Sequence, residues 1–361
     1  MELSIVLISK NQAWNIPRLI ESVLRESIAI RSTEIILVDS ASTDQTIDLA
    51  CRYPIDILRL CPRQPLSPAA GRYIGYKRSQ GEFVLFLDGD MELIPGWLEP
   101  ALRVMQAKPN AALTLSSRLI ELRPPSGAVF LPPPEKISFA APHEVSRVSF
   151  VVGGAALYRS SALEHIGTFN PYLKSEEEPE LYLRIRHAGY RILQLDIPIV
   201  RHFTVPQETF SGLLGRRKRK FLLGVGQCMR YHLRSNLLWP YIKERGSWSL
   251  IPALFLTFGL GTLLWSLITR DYAWLSALTL ALCLLLAFAA FRKRSLRRAF
   301  LSLFHRALMA EGLFKGFLMK PMPPDSYPCD VEVIKETGGP VFWPEPPVQF
   351  DRSLAPQEGA R

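Results

Sequence analysis

The sequence predicts an α/β protein with a mostly parallel sheet and helices on both faces, followed by an α-helical membrane hairpin. Two observations carry this. Short apolar runs alternate with helix-like patterns from residue 3 onward, which is the pattern of βαβ units. Two charge-free stretches, 247–269 and 272–291, are separated only by Arg270 and Asp271. At about 1.5 Å per residue each is long enough to cross a bilayer core of about 30 Å.

The elements follow in order. Leu3–Ile8 is an apolar run, and Ile16, Leu19, Ile20, Val23 and Leu24 mark one face of a helix. Glu34–Val38 reads as a second strand, and Ser42 with Gln45 as a capping box opening the next helix. Asp56–Leu60 is a third strand, Pro68–Gln80 a helix and Phe83–Leu87 a fourth strand. The proline-rich stretch Pro124–Pro142 reads as a surface loop. Regular structure resumes over Val148–Tyr158, followed by a helix capped by Ser161 and Glu164.

The fourth strand ends in Asp88-Gly-Asp90. Residues i and i+2 of an extended segment point the same way, and open α/β sheets bind ligands at strand carboxyl ends. Two carboxylates there suit a hard divalent cation shared with substrate phosphates, although Asp and Gly also form ordinary turns. A second acidic cluster, Glu176, Glu177, Glu178 and Glu180, opens a helix that ends at Gly189. Acids belong at helix N-termini, and Ser175 with Glu178 reads as a third capping box, so a structural role competes with a catalytic one.

Charge is unevenly spread. Residues 1–205 hold 22 basic and 22 acidic side chains, whereas 206–246 and 292–320 each carry +7. The Arg270-Asp271 tip is neutral and the tail from Pro321 carries −4. Basic flanks around a neutral tip place the flanks, the N-terminal domain and both termini in the cytoplasm, against an anionic membrane surface. The neutral N-terminal half offers no basic surface, so nucleic acid is not an expected partner. The five cysteines are scattered without metal spacing and read as reduced thiols. Leu3–Ser9 is too short for the apolar core of a signal peptide. The expected organisation is a catalytic domain (1–205), a basic amphipathic interfacial segment (206–246), a hairpin (247–291), a basic amphipathic helix (292–320) and an acidic proline-rich tail (321–361).

Four stretches in order resemble a nucleotide-sugar glycosyltransferase of family 2 with the GT-A fold, a Rossmann-like architecture. Ser4–Asn11 resembles the strand that ends at the nucleotide, and Ile35–Asp44 the VDDGSTD motif. Gly71–Gly75 through Gly81–Asp90 resembles ARNxG…GEYVxFLDxD. Gly153–Tyr158, Phe169-Asn170 and Glu177–Arg184 resemble GxxLxxR…F…EDxDLxxR. The resemblance covers residues 3 to about 203.

It implies a role for each matching residue. Ser9, Asn11, Asp39, Arg72 and Asp88 are expected on the donor: Asp39 at the base, Asp88 toward the ribose and Arg72 facing the nucleotide. Asp90, with Asp88 and His202, is expected to hold Mg²⁺ or Mn²⁺. Glu178 is the expected general base, with Glu177 and Glu180 as alternatives. Two positions depart from the motif: Ser40 replaces its second acid and Ala41 its glycine. Gln227, Arg230 and Tyr231 resemble a weakened QxxRW acceptor motif, against which stands a chance match in an amphipathic helix.

The implied activity is inverting transfer from a nucleotide-sugar donor to a membrane-associated acceptor, a glycolipid or lipid-linked saccharide. Two alternatives stand beside it: a polyprenyl-phosphate glycosyl synthase, and an inactive membrane scaffold with the same fold.

Overall fold

A computed structural model describes residues 1–30, 32–116, 120–122, 143–144, 154–204 and 209–338. The Pro124–Pro142 loop, part of Val148–Tyr158 and the end of the tail lie outside the described residues.

Parallel strands β1 (Leu3–Ser9), β2 (Thr33–Asp39), β3 (Asp56–Leu60) and β4 (Phe83–Asp88) form one half of a nine-stranded sheet. The other half holds β6 (Ala111–Ser116), β8 (His143–Glu144), β9 (Ala156–Arg159) and β10 (Arg191–Leu195). Strand β9 is antiparallel to both β4 and β6, so the sheet is mostly, not wholly, parallel. A second sheet joins β5 (Met91–Leu93), β7 (Ile120–Leu122) and β11 (Val200–Phe203).

Alternation along the strands fills two cores. Leu3, Ile5 and Leu7 of β1 meet helices α1 (Ile16–Ser27) and α4 (Leu98–Ala107), while Val6 and Ile8 face α3 (Pro68–Arg78) and α6 (Glu177–His187). Both faces are covered, which explains why these strands read as continuous apolar runs. Helix α3 approaches β1 so closely that a Cβ on Gly75 would lie 2.2 Å from Val6 Cγ1.

The three expected capping boxes do not form. Helix α2 (Thr46–Ala50) starts later than expected, and Asp44 Oδ1 accepts from Thr46 N. Ser42 is instead drawn back onto the Asp39 carboxylate. Ser161 lies inside α5 (Ser160–Ile166), and Ser175 Oγ donates to Phe221 O at 2.6 Å. Ser42, which also accepts from Asn11 N, and Ser175 are thus held by partners other than the expected cap.

Residues 206–246, read as one interfacial segment, contain three short helices among the described residues. These are α7 (Phe210–Lys218), α8 (Gly224–Tyr231) and α9 (Leu238–Tyr241), followed by a π-helical turn at Ile242–Gly246. Two long apolar helices come next, α10 (Ser247–Thr269) and α11 (Ala273–Lys293), each able by length and composition to span a membrane. Helix α12 (Leu296–Leu318) returns and docks on α8. A Cβ on Gly312 or Gly316 would lie 2.3 or 2.1 Å from the carbonyl oxygens of Leu222 and Leu223, so only glycine permits this contact. The tail then rejoins the sheet. Its strand β12 (Val331–Lys335) pairs antiparallel with β3, a feature not expected of a proline-rich acidic segment.

Candidate active site

The site lies at the carboxyl ends of β1, β2 and β4. Ser9 is in register with Asp39, and Ile8 with Asp88, so the three polar residues end neighbouring strands. Asp39 is fully buried. Its Oδ1 accepts from Ser42 N at 2.7 Å, and its Oδ2 accepts from the Ser42 and Ser9 hydroxyls. Asn11 ties the same loops together: its N donates to Ser42 Oγ and its Oδ1 accepts from Thr43 N, both at 2.8 Å. Ala41, at the motif's glycine position, has φ +58°. That left-handed backbone is the one glycine adopts without strain, so the departure costs energy but keeps the turn.

Arg72, from the buried face of α3, is the centre of the site. Its side chain is 3% exposed. Its Nη1 donates to Glu177 Oε1 at 2.8 Å, and Nη2 lies 2.6 Å from Asp88 Oδ1 and 2.9 Å from Glu178 Oε1. One guanidinium therefore gathers three carboxylates from two elements. Burial, added to the charge of neighbouring acids, raises Asp88 and Glu177 above the ordinary carboxylate range despite Arg72. One positive charge cannot neutralise three negative ones, so the cluster favours retaining a proton.

Glu178 also accepts from Gly154 N at 2.5 Å. Gly154 has φ +93°, and a Cβ there would lie 2.8 Å from Asp88 Oδ2, so a side chain is excluded twice over. Beside this network Asp90 Oδ2 lies 3.4 Å from His202 Nε2. Strand β11 brings His202 there by pairing with Met91 of β5, and Phe203 N donates to Asp90 O at 2.8 Å.

The remaining acids of α6 divide. Glu176 is bound by Arg245 and Tyr241. Glu180 is fully buried between Arg184 and His232. Burial alone would raise its carboxyl, but those two partners hold it down at about 2. Gln227, Arg230 and Tyr231 stand apart from the Arg72 network. The Gln227 amide bonds Tyr172 O and Lys174 N, Arg230 lies over the Phe317 ring and Tyr231 meets the His232 ring edge-on.

One residue was not singled out from the sequence. Asn15 is fully buried, and its Nδ2 donates to Gly89 O at 3.0 Å and Met91 O at 2.8 Å. It clamps the turn that carries Asp90. Its position before a helix suggests an N-cap, but its side chain caps nothing.

Asp90 and His202 suit a divalent cation. They supply a carboxylate oxygen and an imidazole nitrogen at one point, and metals shared with substrate phosphates need only one or two protein ligands. Among the described residues no group of three or more His, Cys, Asp or Glu side chains is disposed to hold a metal alone.

Residues 4–167 match the family described as "Glycosyl transferase family 2". The chain carries a family 2 glycosyltransferase domain. Over 214 residues the chain is 29% identical to "Pre-mycofactocin glycosyltransferase" of Mycobacterium tuberculosis, covering 56% of the chain and 42% of that protein. The chain thus spans less than half the length of that relative. In fold it is similar to the mannosyltransferase PcManGT from Pyrobaculum calidifontis, solved with GDP-Man and Mn²⁺. That match has TM-score 0.56 and 18% identity, covering 88% of this chain and 87% of that one. S. aureus TarS 1-349, solved with UDP-GlcNAc, matches with TM-score 0.51 and 19% identity over 88% and 90% of the two chains. Both likenesses show the GT-A fold.

Proposed function

We propose that the protein is an inverting glycosyltransferase, moving a sugar from a nucleotide-sugar donor to a membrane-associated, lipid-linked acceptor at the cytoplasmic face. The observation that carries this is the Arg72 junction, which joins the strand-end acid Asp88 to Glu177 and Glu178 beside the Asp90–His202 pair.

In this reading Asp39 and the Ser9–Asn11 turn receive the base, and Asp88 with Arg72 lies along the ribose and diphosphate. Asp90 and His202 would hold Mg²⁺ or Mn²⁺. A bound cation supplies neutralisation of the leaving diphosphate's charge. Glu178 accepts the proton of the acceptor hydroxyl as that oxygen bonds to the anomeric carbon and the bond to the diphosphate breaks. Among the described residues both of its contacts fall on Oε1, which leaves Oε2 for the hydroxyl. Attack opposite the leaving group inverts the anomeric centre. Glu180 is unsuited to this step, since it is sealed from solvent and held at low basicity.

The membrane half supports the acceptor assignment. Trp248 and Trp265 stand near the two ends of α10, with Trp274 opening α11, and all three are exposed. Seventeen residues of helix span roughly 26 Å, a spacing that suits aromatic residues at two membrane interfaces. Strand β12 lies in the same sheet as β1–β4 although α10 and α11 intervene. A bilayer cannot divide one sheet, so two spanning helices must form a hairpin.

The test is a panel of nucleotide-sugars with Mn²⁺, scored by melting temperature in wild type and Asp90→Ala. One donor at 100-fold its Kd should stabilise the wild type by about 2.7 kcal/mol, and D90A should lose the Mn²⁺-dependent part. If no donor stabilises the wild type, the assignment fails.

A further inference from the structure

We propose that Tyr241, at the end of α9, and Arg245, on the turn entering the first apolar helix, are positioning residues for the acidic start of α6. The proposal rests on the reading of Glu178 as the acceptor-side base.

Glu176 precedes α6 with φ +68° and ψ +11°. A side-chain-bearing residue enters this left-handed region at a cost, and such outliers persist only where their surroundings hold them. Here the restraint is explicit. Arg245 Nε and Nη2 donate to the Glu176 carboxylate at 2.9 and 2.6 Å, and the Tyr241 hydroxyl donates to Oε2 at 3.2 Å. Tyr241 is fully buried, so it anchors this contact in the core. The neighbouring Ser175 is held from the same side, by Phe221 O and by the close approach of Gly224.

The next two residues are Glu177 and Glu178, which reach Arg72 from the opposite side. The acidic turn is therefore fixed at both edges, by α3 within the domain and by the segment leading into α10. Arg245 sits in a π-helical turn, an irregularity that often marks functional positions. The direction of the chain at Glu176 sets where Glu178 stands. The membrane-entry segment thereby becomes part of the site's geometry without touching either substrate.

The experiment compares Glu176→Gly with Glu176→Ala in the full chain in detergent or nanodiscs. Both remove the carboxylate and its bonds to Arg245, but only glycine adopts φ +68° freely. E176G should retain most of the wild-type kcat. E176A should lose kcat by about ten-fold, from the strain of the left-handed backbone. The donor KM should stay unchanged in both. R245Q should resemble E176A, and R245Q combined with E176G should return to the E176G value. An E176A protein that fails to fold beside an active E176G carries the same meaning.

Equal kcat in E176A and E176G overturns the proposal, because loss of an ion pair alone would affect both alike. Failure of the base assignment is read separately. Normal turnover in E178Q with impaired E176A would remove the base and keep the clamp. Inactive E178Q with equal E176A and E176G would do the reverse.

Discussion

Arg72 Nη2 lies 2.9 Å from Glu178 Oε1 while the same nitrogen lies 2.6 Å from Asp88 Oδ1. The strand-end acid and the helix acid thus share one donor group. Arginine suits this position because its planar fork presents several donors in fixed directions and never loses its charge. Its third partner, Glu177 on Nη1, completes a junction in which the guanidinium is almost entirely buried. The donor side and the acceptor side of the proposed site are held in register by a single side chain.

Replacing that side chain separates charge from geometry. Arg72→Met leaves three acids without their buried partner, and breaking a buried pair typically costs about 3–5 kcal/mol. Arg72→Lys keeps the charge but offers a single point in place of a fork, so it should fold better than R72M and still lose turnover. Chemical denaturation with turnover on the same preparations checks both. Normal turnover in R72K would show that the fork is not required.

Glu177 and Glu180, on one helix, should impose opposite pH dependence on stability. Glu177 is raised in the folded state by burial, so it favours folding while protonated, and that contribution is lost as pH rises through its folded value. Glu180 is lowered to about 2 by Arg184 and His232, so its contribution is present above the ordinary carboxylate value and lost as pH falls toward 2. Melting curves from pH 3 to 8 should show both limbs. Glu177→Gln should flatten the fall toward neutral pH, and Glu180→Gln the fall toward acid. A Glu177→Gln protein with an unchanged neutral limb would contradict the assignment.

What was legible in the sequence was local. Strands β1, β2, β3 and β4 were visible because burial on both faces leaves an unbroken apolar run, and Asp88 and Asp90 were visible because they interrupt one. The fates of Glu176, Glu177, Glu178 and Glu180 were not legible. Their partners Arg245, Arg72 and His232 lie 69, 105 and 52 positions away, and nothing local distinguishes four acids at a helix start. The capping boxes failed for the same reason: Ser42 and Ser175 had better partners outside their own turn. Strand β12 was hidden because its five residues gain their burial from β3 and show little pattern of their own.

Asn15 should matter through the metal side of the site. Its amide satisfies the carbonyls of Gly89 and Met91 on either side of Asp90. Asn15→Ala leaves these buried acceptors unsatisfied, at about 1–3 kcal/mol for such a group, and frees the turn to move. Asn15→Asp should be worse, because it sets acceptors against acceptors. Titration with Mn²⁺ in the presence of nucleoside diphosphate should show weaker binding in both. Binding equal to wild type in N15D would show that the clamp does not position Asp90.

Topology is open to direct labelling. Because β12 and β3 share a sheet, residues near the tip of the hairpin and residues near β12 should lie on opposite sides of a membrane. In a background without native cysteines, Arg270→Cys should react with an impermeant reagent from outside and Thr337→Cys should not. The reverse pattern would invert the orientation, and equal labelling would argue against a spanning hairpin.

The decisive substitution is Glu178→Gln. A glutamine amide oxygen still accepts from Gly154 N and from Arg72, and Arg72 keeps Asp88 and Glu177, so stability should change little. The capping role that competes in the sequence is absent, since the Ser175 hydroxyl is committed to Phe221 O. A neutral amide cannot take a proton, and loss of general-base assistance typically costs about 10²–10⁴-fold in rate. The lesion should fall on kcat with donor KM unchanged, because the donor contacts are assigned to Asp39, Arg72 and the Asp90 side. Single-turnover kinetics with saturating donor would isolate the chemical step. Near-normal turnover would pass the role to Glu177, whose buried carboxylate would then have to leave Arg72 to meet an acceptor.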